Sequence, residues 1–221
     1  MEKSDLKHGK NYSIKGFYMA VINVNLAPYI NEQFVVTGYW GEPRSGHIHA
    51  GIDLATIKQV ASQPSRVYSM SDGIVTFVDP DGHTGSGYGP YVIVRNTDNN
   101  DLWLYGDLSD NPSVVLNQTI VQGQLIGYEG NPSGTSSTGL HVHLEKENQP
   151  DGVFKYGYNN SIDPTTGTGI TNANYSSTGD IYFYDGTPVL LSKKKKFPWV
   201  LYANKLRNKR QIWQKNKKML L

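Results

Sequence analysis

Two short segments hold the side chains with the most chemistry in them: His49-Ala50-Gly51-Ile52-Asp53 and His141-Val142-His143. Together they supply imidazole and carboxylate donors of the kind that hold one zinc ion. A catalytic zinc takes three protein ligands and leaves a fourth position for water or substrate. His141 and His143 stand two apart, so on a strand they share a face. One can bind metal while the other faces a substrate. Each segment alone is a weak signal, because six histidines in 221 residues make a chance His-x-His unsurprising. Their weight comes from the glycine and strand patterns around them.

Those patterns describe an all-β body. Glycine (23) and tyrosine (15) are abundant, and the chain breaks into short strand-like runs. Val21 to Leu26 alternates as a strand, and Phe34 to Trp40 reads as the strand that enters the site. Gly41 to Gly46 is a loop by its Gly and Pro content. Residues 67–78 suggest two strands around a Ser71-Asp72-Gly73 turn. Asp79 to Gly87 is a glycine-rich loop containing His83. Tyr91–Arg95 and Leu102–Tyr105 suggest a hairpin around Asp98-Asn99-Asn100-Asp101. Gly123–Tyr128 is another strand. Asn131 to Gly139 is a loop that delivers the His-x-His strand. No segment of useful length has a helical period before residue 198.

Charge divides the chain. Residues 193–221 carry eleven Lys and Arg and no Asp or Glu; residues 1–192 carry ten basic and nineteen acidic residues, a net of −9. Such segregation marks an interaction tail. Within it, Trp199, Tyr202, Leu206, Trp213 and Leu220 form an apolar stripe on a basic helix that starts near Pro198. The partners that suit this tail are another protein, an anionic membrane or an acidic polymer. Nucleic acid suits the charge alone, and no base-reading motif supports it. The Thr/Gly/Ser/Asn-rich stretch 164–180 reads as a linker, followed by a small hairpin at Asp185-Gly186. The expected organisation is an N-terminal extension 1–30, a domain 31–163, a linker with hairpin 164–192, and the tail 193–221. There is no cysteine, so neither disulfide nor thiolate enters the reading.

The stretch from about Val35 to Glu145 resembles the lysostaphin-type zinc endopeptidases, which cut peptide cross-links in bacterial peptidoglycan. The resemblance rests on five ordered segments. These are His49 to Asp53, Val67 to Phe77 with its Asp72-Gly73-Ile74-Val75, Gly87-Tyr88-Gly89 to Val94, Val121 to Gly127, and Gly139 to Glu145. It implies that family's antiparallel β-sheet fold, the duplicated hybrid motif. It also implies zinc ligands at His49, Asp53 and His143 and a catalytic role for His141.

One position departs from the pattern. The family's Tyr-x-His-Leu reads Tyr105-Gly106-Asp107-Leu108 here. An aspartate can accept a proton as a base, but while ionised it cannot donate to an oxyanion. Losing one such donor costs about 2.7–4 kcal/mol, or 10²–10³ in rate. His83 reads as a solvated loop histidine, with replacement of the missing family histidine as its rival role. His47 reads as solvated, with alternative ligation as its rival role. His8 has no context.

Two functions follow as expectations. The first is a zinc-dependent peptidoglycan endopeptidase acting on stem or cross-bridge peptides, with His141 and Asp107 managing protons. The second is a weakened or inactive peptidase-fold module for wall binding or phage tail assembly. The N-terminal residues lack the apolar core of a signal peptide. The expected setting is therefore a phage virion, or release at lysis, with action at the bacterial wall.

Overall fold

The computed structural model describes residues 12–14, 17–19, 21–58, 63–82, 87–131 and 139–187. The chain divides into two units, Met1–Pro188 and Val189–Leu221. The second, with the basic helix expected at 198–220, lies outside the described residues. Within them no helix is long and apolar enough to cross a membrane.

The body is built from short strands. In chain order they are β1 (Tyr12–Ile14), β2 (Phe17–Met19), β3 (Val21–Asn23), β4 (Gln33–Gly38), β5 (Pro43–Arg44), β6 (His47–Ile48), β7 (Gly51–Thr56), β8 (Arg66–Tyr68), β9 (Gly73–Asp79), β10 (Tyr91–Asn96), β11 (Asp101–Gly106), β12 (Thr119–Ile120), β13 (Leu125–Tyr128), β14 (Val142–Asn148) and β15 (Ser161–Ile162). One helical turn, α1 (Tyr175–Thr178), precedes the last strand among the described residues, β16 (Ile181–Phe183). Nine strands follow the order β12-β9-β10-β11-β14-β7-β4-β16-β3, and β15 adds to β14. Neighbours on this path are antiparallel except β16 and β3, which run parallel. The all-β, antiparallel expectation holds.

Alternation along the central strands explains why both faces of the sheet are covered. In β10, Tyr91 and Ile93 join one apolar cluster while Val92 and Val94 join the other. In β11, Leu102 and Leu104 divide from Trp103 and Tyr105 in the same way. A strand buried on both faces reads as an unbroken apolar run, as these do. The expected hairpin joins β10 to β11. It turns through Asn100 at φ +60°, and the Asn99 side-chain oxygen accepts the Asp101 N–H at 3.0 Å. Asparagine suits both tasks.

The pairing around Ser71-Asp72-Gly73 differs from expectation. β8 and β9 flank this turn but do not pair with each other. β8 pairs with β13, whereas β9 pairs with β10 and β12.

The stretch 164–180 is not a linker. Thr165, Thr168 and Ile170 are buried, and so are Ile181, Tyr182 and Tyr184 just beyond. The composition misleads because the hydroxyls serve the backbone. Thr168 Oγ1 donates to the Thr165 carbonyl at 2.7 Å and accepts the Ile170 N–H at 3.0 Å. Local side-chain bonds of this kind let a polar segment fold tightly. β16 then inserts between β3 and β4 as a strand of the main sheet, where Tyr182 packs on Phe34. Each large apolar side chain fully buried there contributes about 1.5–3 kcal/mol. A chain cut near 165 would lose several of them. The boundary at residue 30 moves for the same reason, because β3 belongs to this sheet and Tyr29 is fully buried. The far half of the hairpin expected at Asp185-Gly186 lies outside the described residues. Ile181–Phe183 pairs elsewhere.

Candidate metal centre

Strand register places the first-named residues in one row. Asp53 on β7 stands opposite His143 on β14. Beyond them Gly38 of β4 pairs with Asp53, and Gly106 of β11 pairs with His143. The row therefore crosses four strands with glycine at both ends. His49 reaches it from the residue pair between β6 and β7. Gly51 matters here as a close approach. A Cβ on it would meet the Leu144 carbonyl oxygen at 2.5 Å and His143 Cε1 at 2.8 Å.

His49, Asp53 and His143 are all buried, and one donor atom from each lies within 4.8 Å of the others. His49 Nε2 is 3.0 Å from His143 Nδ1 and 3.3 Å from Asp53 Oδ1, and His143 Nδ1 is 2.8 Å from Asp53 Oδ1. Tetrahedral zinc with bonds of 2.0–2.2 Å places its ligand atoms about 3.3 Å apart. The donor set fits that ion.

Hydrogen bonds on the outer side fix which ring nitrogen offers a lone pair. His49 Nδ1 lies 2.9 Å from the Tyr39 carbonyl, an acceptor, so it carries the proton and Nε2 is bare. His143 Nε2 lies 3.0 Å from Glu145 Oε1, also an acceptor, so Nδ1 is bare. Two imidazole lone pairs and a carboxylate oxygen thus converge. Such outer partners orient ligands and raise their basicity. Without a metal a proton must take the ion's place. Burial opposes a charged His143, but hydrogen bonds to Asp53 and Glu145 outweigh it and push its pKa up to about 10. Burial also resists an ionised Asp53, yet the hydrogen bond from His143 and the neighbouring imidazoles hold it well below the usual carboxylate range.

A wider ring of groups supports these three. Tyr88 donates to Glu145 Oε1 at 2.8 Å, and its ring packs 5.4 Å from that of His143. Arg44, at the end of β5, donates from Nη2 to Asp53 Oδ2. Sequence reasoning named neither as a site residue. Tyr88 and Glu145 stood inside quoted motifs. Nothing in the chain order singled out Arg44.

His141 sits one step before β14, in an isolated bridge with Gly130. Its Nε2 lies 3.1 Å from Asp107 Oδ2, and its Nδ1 lies 3.0 Å from the Gly139 carbonyl. Both ring nitrogens thus face acceptors, which suits the doubly protonated ring. Burial works against that charge, but the bond to Asp107 prevails and raises the His141 pKa above its ordinary value. Asp107 is buried and takes φ +53°, which aspartate tolerates. Its N–H donates to the Tyr88 carbonyl at 2.7 Å, and Leu108 N–H to the Pro90 carbonyl at 3.0 Å. Asp107 Oδ1 is buried without a hydrogen-bond partner among the described residues. Tertiary packing therefore brings the five residues named from the sequence into a trio, His49, Asp53 and His143, and a pair, His141 and Asp107. His47 does not join them; it is exposed, and its Nδ1 faces the Ser45 carbonyl. His83 lies outside the described residues.

Comparison with known proteins gives this arrangement its relatives. No curated protein matches the chain. Among solved structures it is similar to the catalytic domain of lysostaphin from Staphylococcus simulans, with 20% identity, a TM-score of 0.46, and coverage of 62% of this chain and 90% of that one. It is also similar to a variant catalytic domain of the prophage-encoded M23 protein EnpA from Enterococcus faecalis, with 27% identity, a TM-score of 0.46, and coverage of 63% and 95%. A third likeness is to a complex of SpoIIIAH and SpoIIQ, at 23% identity, a TM-score of 0.48, and coverage of 65% and 99%. The model of Peptidase family M23 matches residues 47–163. That span holds His49, Asp53, Asp107, His141 and His143 and exceeds half of the 221 residues, and the chain belongs to Peptidase family M23.

Proposed function

We propose that this protein is a zinc-dependent endopeptidase that cuts stem or cross-bridge peptides of bacterial peptidoglycan. The observation that carries the reading is the convergence of His49 Nε2, Asp53 Oδ1 and His143 Nδ1, with the outer nitrogen of each histidine already committed to an acceptor. His49, Asp53 and His143 hold the metal. Zinc bound there supplies Lewis acidity toward a peptide carbonyl and toward water. His141 keeps a proton at Nε2, and Asp107 orients that proton and balances its charge. Giving that proton to a leaving amine requires the Nε2–H to turn from Asp107 toward the substrate. Extended peptides suit a sheet-based site, because backbone and strand share hydrogen-bonding geometry.

A second reading has its own observation. The Asp107 carboxylate stands where the family pattern has histidine, and its contact with His141 is an ion pair rather than a donor aimed outward. That favours a weakened peptidase or a wall-binding module. Turnover separates the two. A zymogram on walls from several Gram-positive bacteria, with and without added zinc, should show clearing by the wild type and none by His49→Ala. Walls that bind the protein but are never cleared would favour the module.

Carriage in a phage particle, with residues 193–221 contacting virion or tail proteins, belongs to the same proposal. The charge division of the chain supports it. Immunodetection of the protein in purified particles tests it.

A further inference from the structure

Asp53 has two oxygens, and only one of them faces the histidines. Oδ1 lies 2.8 Å from His143 Nδ1 and 3.3 Å from His49 Nε2. Oδ2 is taken by Arg44 Nη2. We propose that Arg44 is a positioning residue that reserves Asp53 Oδ2, so that Asp53 offers the metal one oxygen and a position stays open for substrate. We further propose that Glu42 and Asn174 hold Arg44 to that task. The inference rests on the metal-centre reading but goes beyond it, to residues that the family match at 47–163 does not contain.

Three observations carry it. Arg44 is gripped from behind, since its Nε and Nη2 both donate to Glu42 Oε2, at 3.1 and 3.0 Å. A guanidinium held along one edge by a carboxylate is fixed in its plane. Glu42 is gripped in turn, because Asn174 Nδ2 donates to its Oε1 at 2.9 Å. Asn174 is the N-cap residue of α1, a place where asparagine ordinarily caps its own helix. Here its side chain makes no cap bond. Its Nδ2 is held on Glu42, and its Oδ1, the atom that would cap, is buried without a hydrogen-bond partner among the described residues.

The third observation is space. Gly38 lies beside the Arg44–Asp53 contact, and a Cβ there would collide with both Arg44 Nη2 and Asp53 Oδ2. β4 also shifts register against β7 between Val36 and Gly38. The sheet is thus shaped to admit the guanidinium. The neighbouring backbone is clamped to the same C-terminal segment. Trp40 N–H donates to Asn172 Oδ1 at 2.8 Å, and Asn172 Nδ2 to the Trp40 carbonyl at 3.0 Å. Residues 172–174 therefore brace the loop that carries the arginine.

Freed of Arg44, a carboxylate can turn both oxygens to a metal and fill the open position. Cobalt(II) put in place of zinc reports this directly, because its visible absorption weakens as coordination number rises. The full-length protein is stripped with chelator and loaded with cobalt. The wild type should show the intense bands of a low-coordinate site. Arg44→Met, which keeps an unbranched stem and removes the donors, should lose much of that intensity. Arg44→Lys should restore most of it, because an ammonium still donates to Oδ2. Asn174→Ala should move the spectrum in the direction of Arg44→Met, by less. An Arg44→Met spectrum that superposes on the wild type overturns the proposal. If Arg44→Met does not fold, an unchanged spectrum in Asn174→Ala overturns it. A wild type that takes up no cobalt defeats the metal centre and this inference together. Cobalt uptake with the expected shifts, but no clearing of any wall, defeats only the peptidoglycan reading.

Discussion

Two histidines two residues apart both meet an acceptor at each ring nitrogen, yet only one of them shares a nitrogen's surroundings with other metal-binding atoms. His143, on β14, turns Nδ1 toward His49 and Asp53, where a metal would replace the proton, and keeps Nε2 on Glu145. His141, one step before the strand, has acceptors on both nitrogens and forms a finished pair with Asp107. The first surrounds a place that needs a cation. The second has already found its counter-charge. Identical side chains differ because β14 carries one into a row of donors, while the bridge to Gly130 swings the other toward the loop after β11. What a histidine does here depends on whether other metal-binding atoms converge on the same nitrogen.

The strongest way to break the comparison is to remove the receptor side. His143→Ala should lose stoichiometric zinc, whereas His141→Ala should keep it. Metal analysis of the two purified proteins measures this. Equal zinc in both would erase the distinction.

The pair side is tested by Asp107→His. Histidine also accepts a positive φ more readily than most residues, so the backbone at φ +53° can be kept. A neutral donor in place of the carboxylate should recover part of the 10²–10³ in turnover that one oxyanion donor contributes. Zinc content should not change. Efficient cleavage by the wild type, crippled by this substitution, would instead make Asp107 a working base.

A smaller effect is expected one shell out. Glu145→Gln leaves every donor atom in place but weakens the acceptor on His143 Nε2. Loss of such a partner typically costs 10–100-fold in metal affinity. Competition against a chelator of known affinity reads it, and an unchanged affinity would mean that the ring is oriented by packing against Tyr88 alone.

The smallest expected effect is on stability against pH in chelator-treated protein. The His143 pKa is raised to about 10 when a proton fills the centre. A raised pKa stabilises below the unfolded value, and that contribution is lost as pH rises through about 10. Asp53, held low, loses its contribution only on the acid side. The denaturation midpoint of metal-free protein should therefore fall between neutral pH and about 10. Zinc-loaded protein, with no proton to lose there, should not follow that titration. Parallel curves for the two forms would mean that the proton does not occupy the metal's place.

Much of this was legible in the chain, for a physical reason. Zinc-binding chemistry needs particular side chains, and strand spacing decides which can meet, so His49, Asp53, His141 and His143 announced themselves by type and order. The Tyr105-Gly106-Asp107-Leu108 segment exposed the departure at Asp107 equally well. The two unbroken apolar runs on either side of Asp98-Asn99-Asn100-Asp101 gave the β10–β11 hairpin, because its contacts are local. Partners distant in sequence were not legible. β8 and β9 looked like a hairpin, yet each found a better neighbour elsewhere in the sheet. Residues 164–180 looked like a linker because composition reports polarity, not whether hydroxyls are turned inward onto the backbone.

Residue types and spacing thus determined the kind of site this protein carries. Only the tertiary structure decided which nitrogen of His49 and of His143 faces the metal position, because that depends on carbonyls and carboxylates brought in by other parts of the chain. It alone joined Asn174 through Glu42 and Arg44 to Asp53. Asn174 and Asp53 are far apart in the chain, and no sequence period links them. Folding closes that distance when β16 pairs between β3 and β4, beside the strand that carries Asp53.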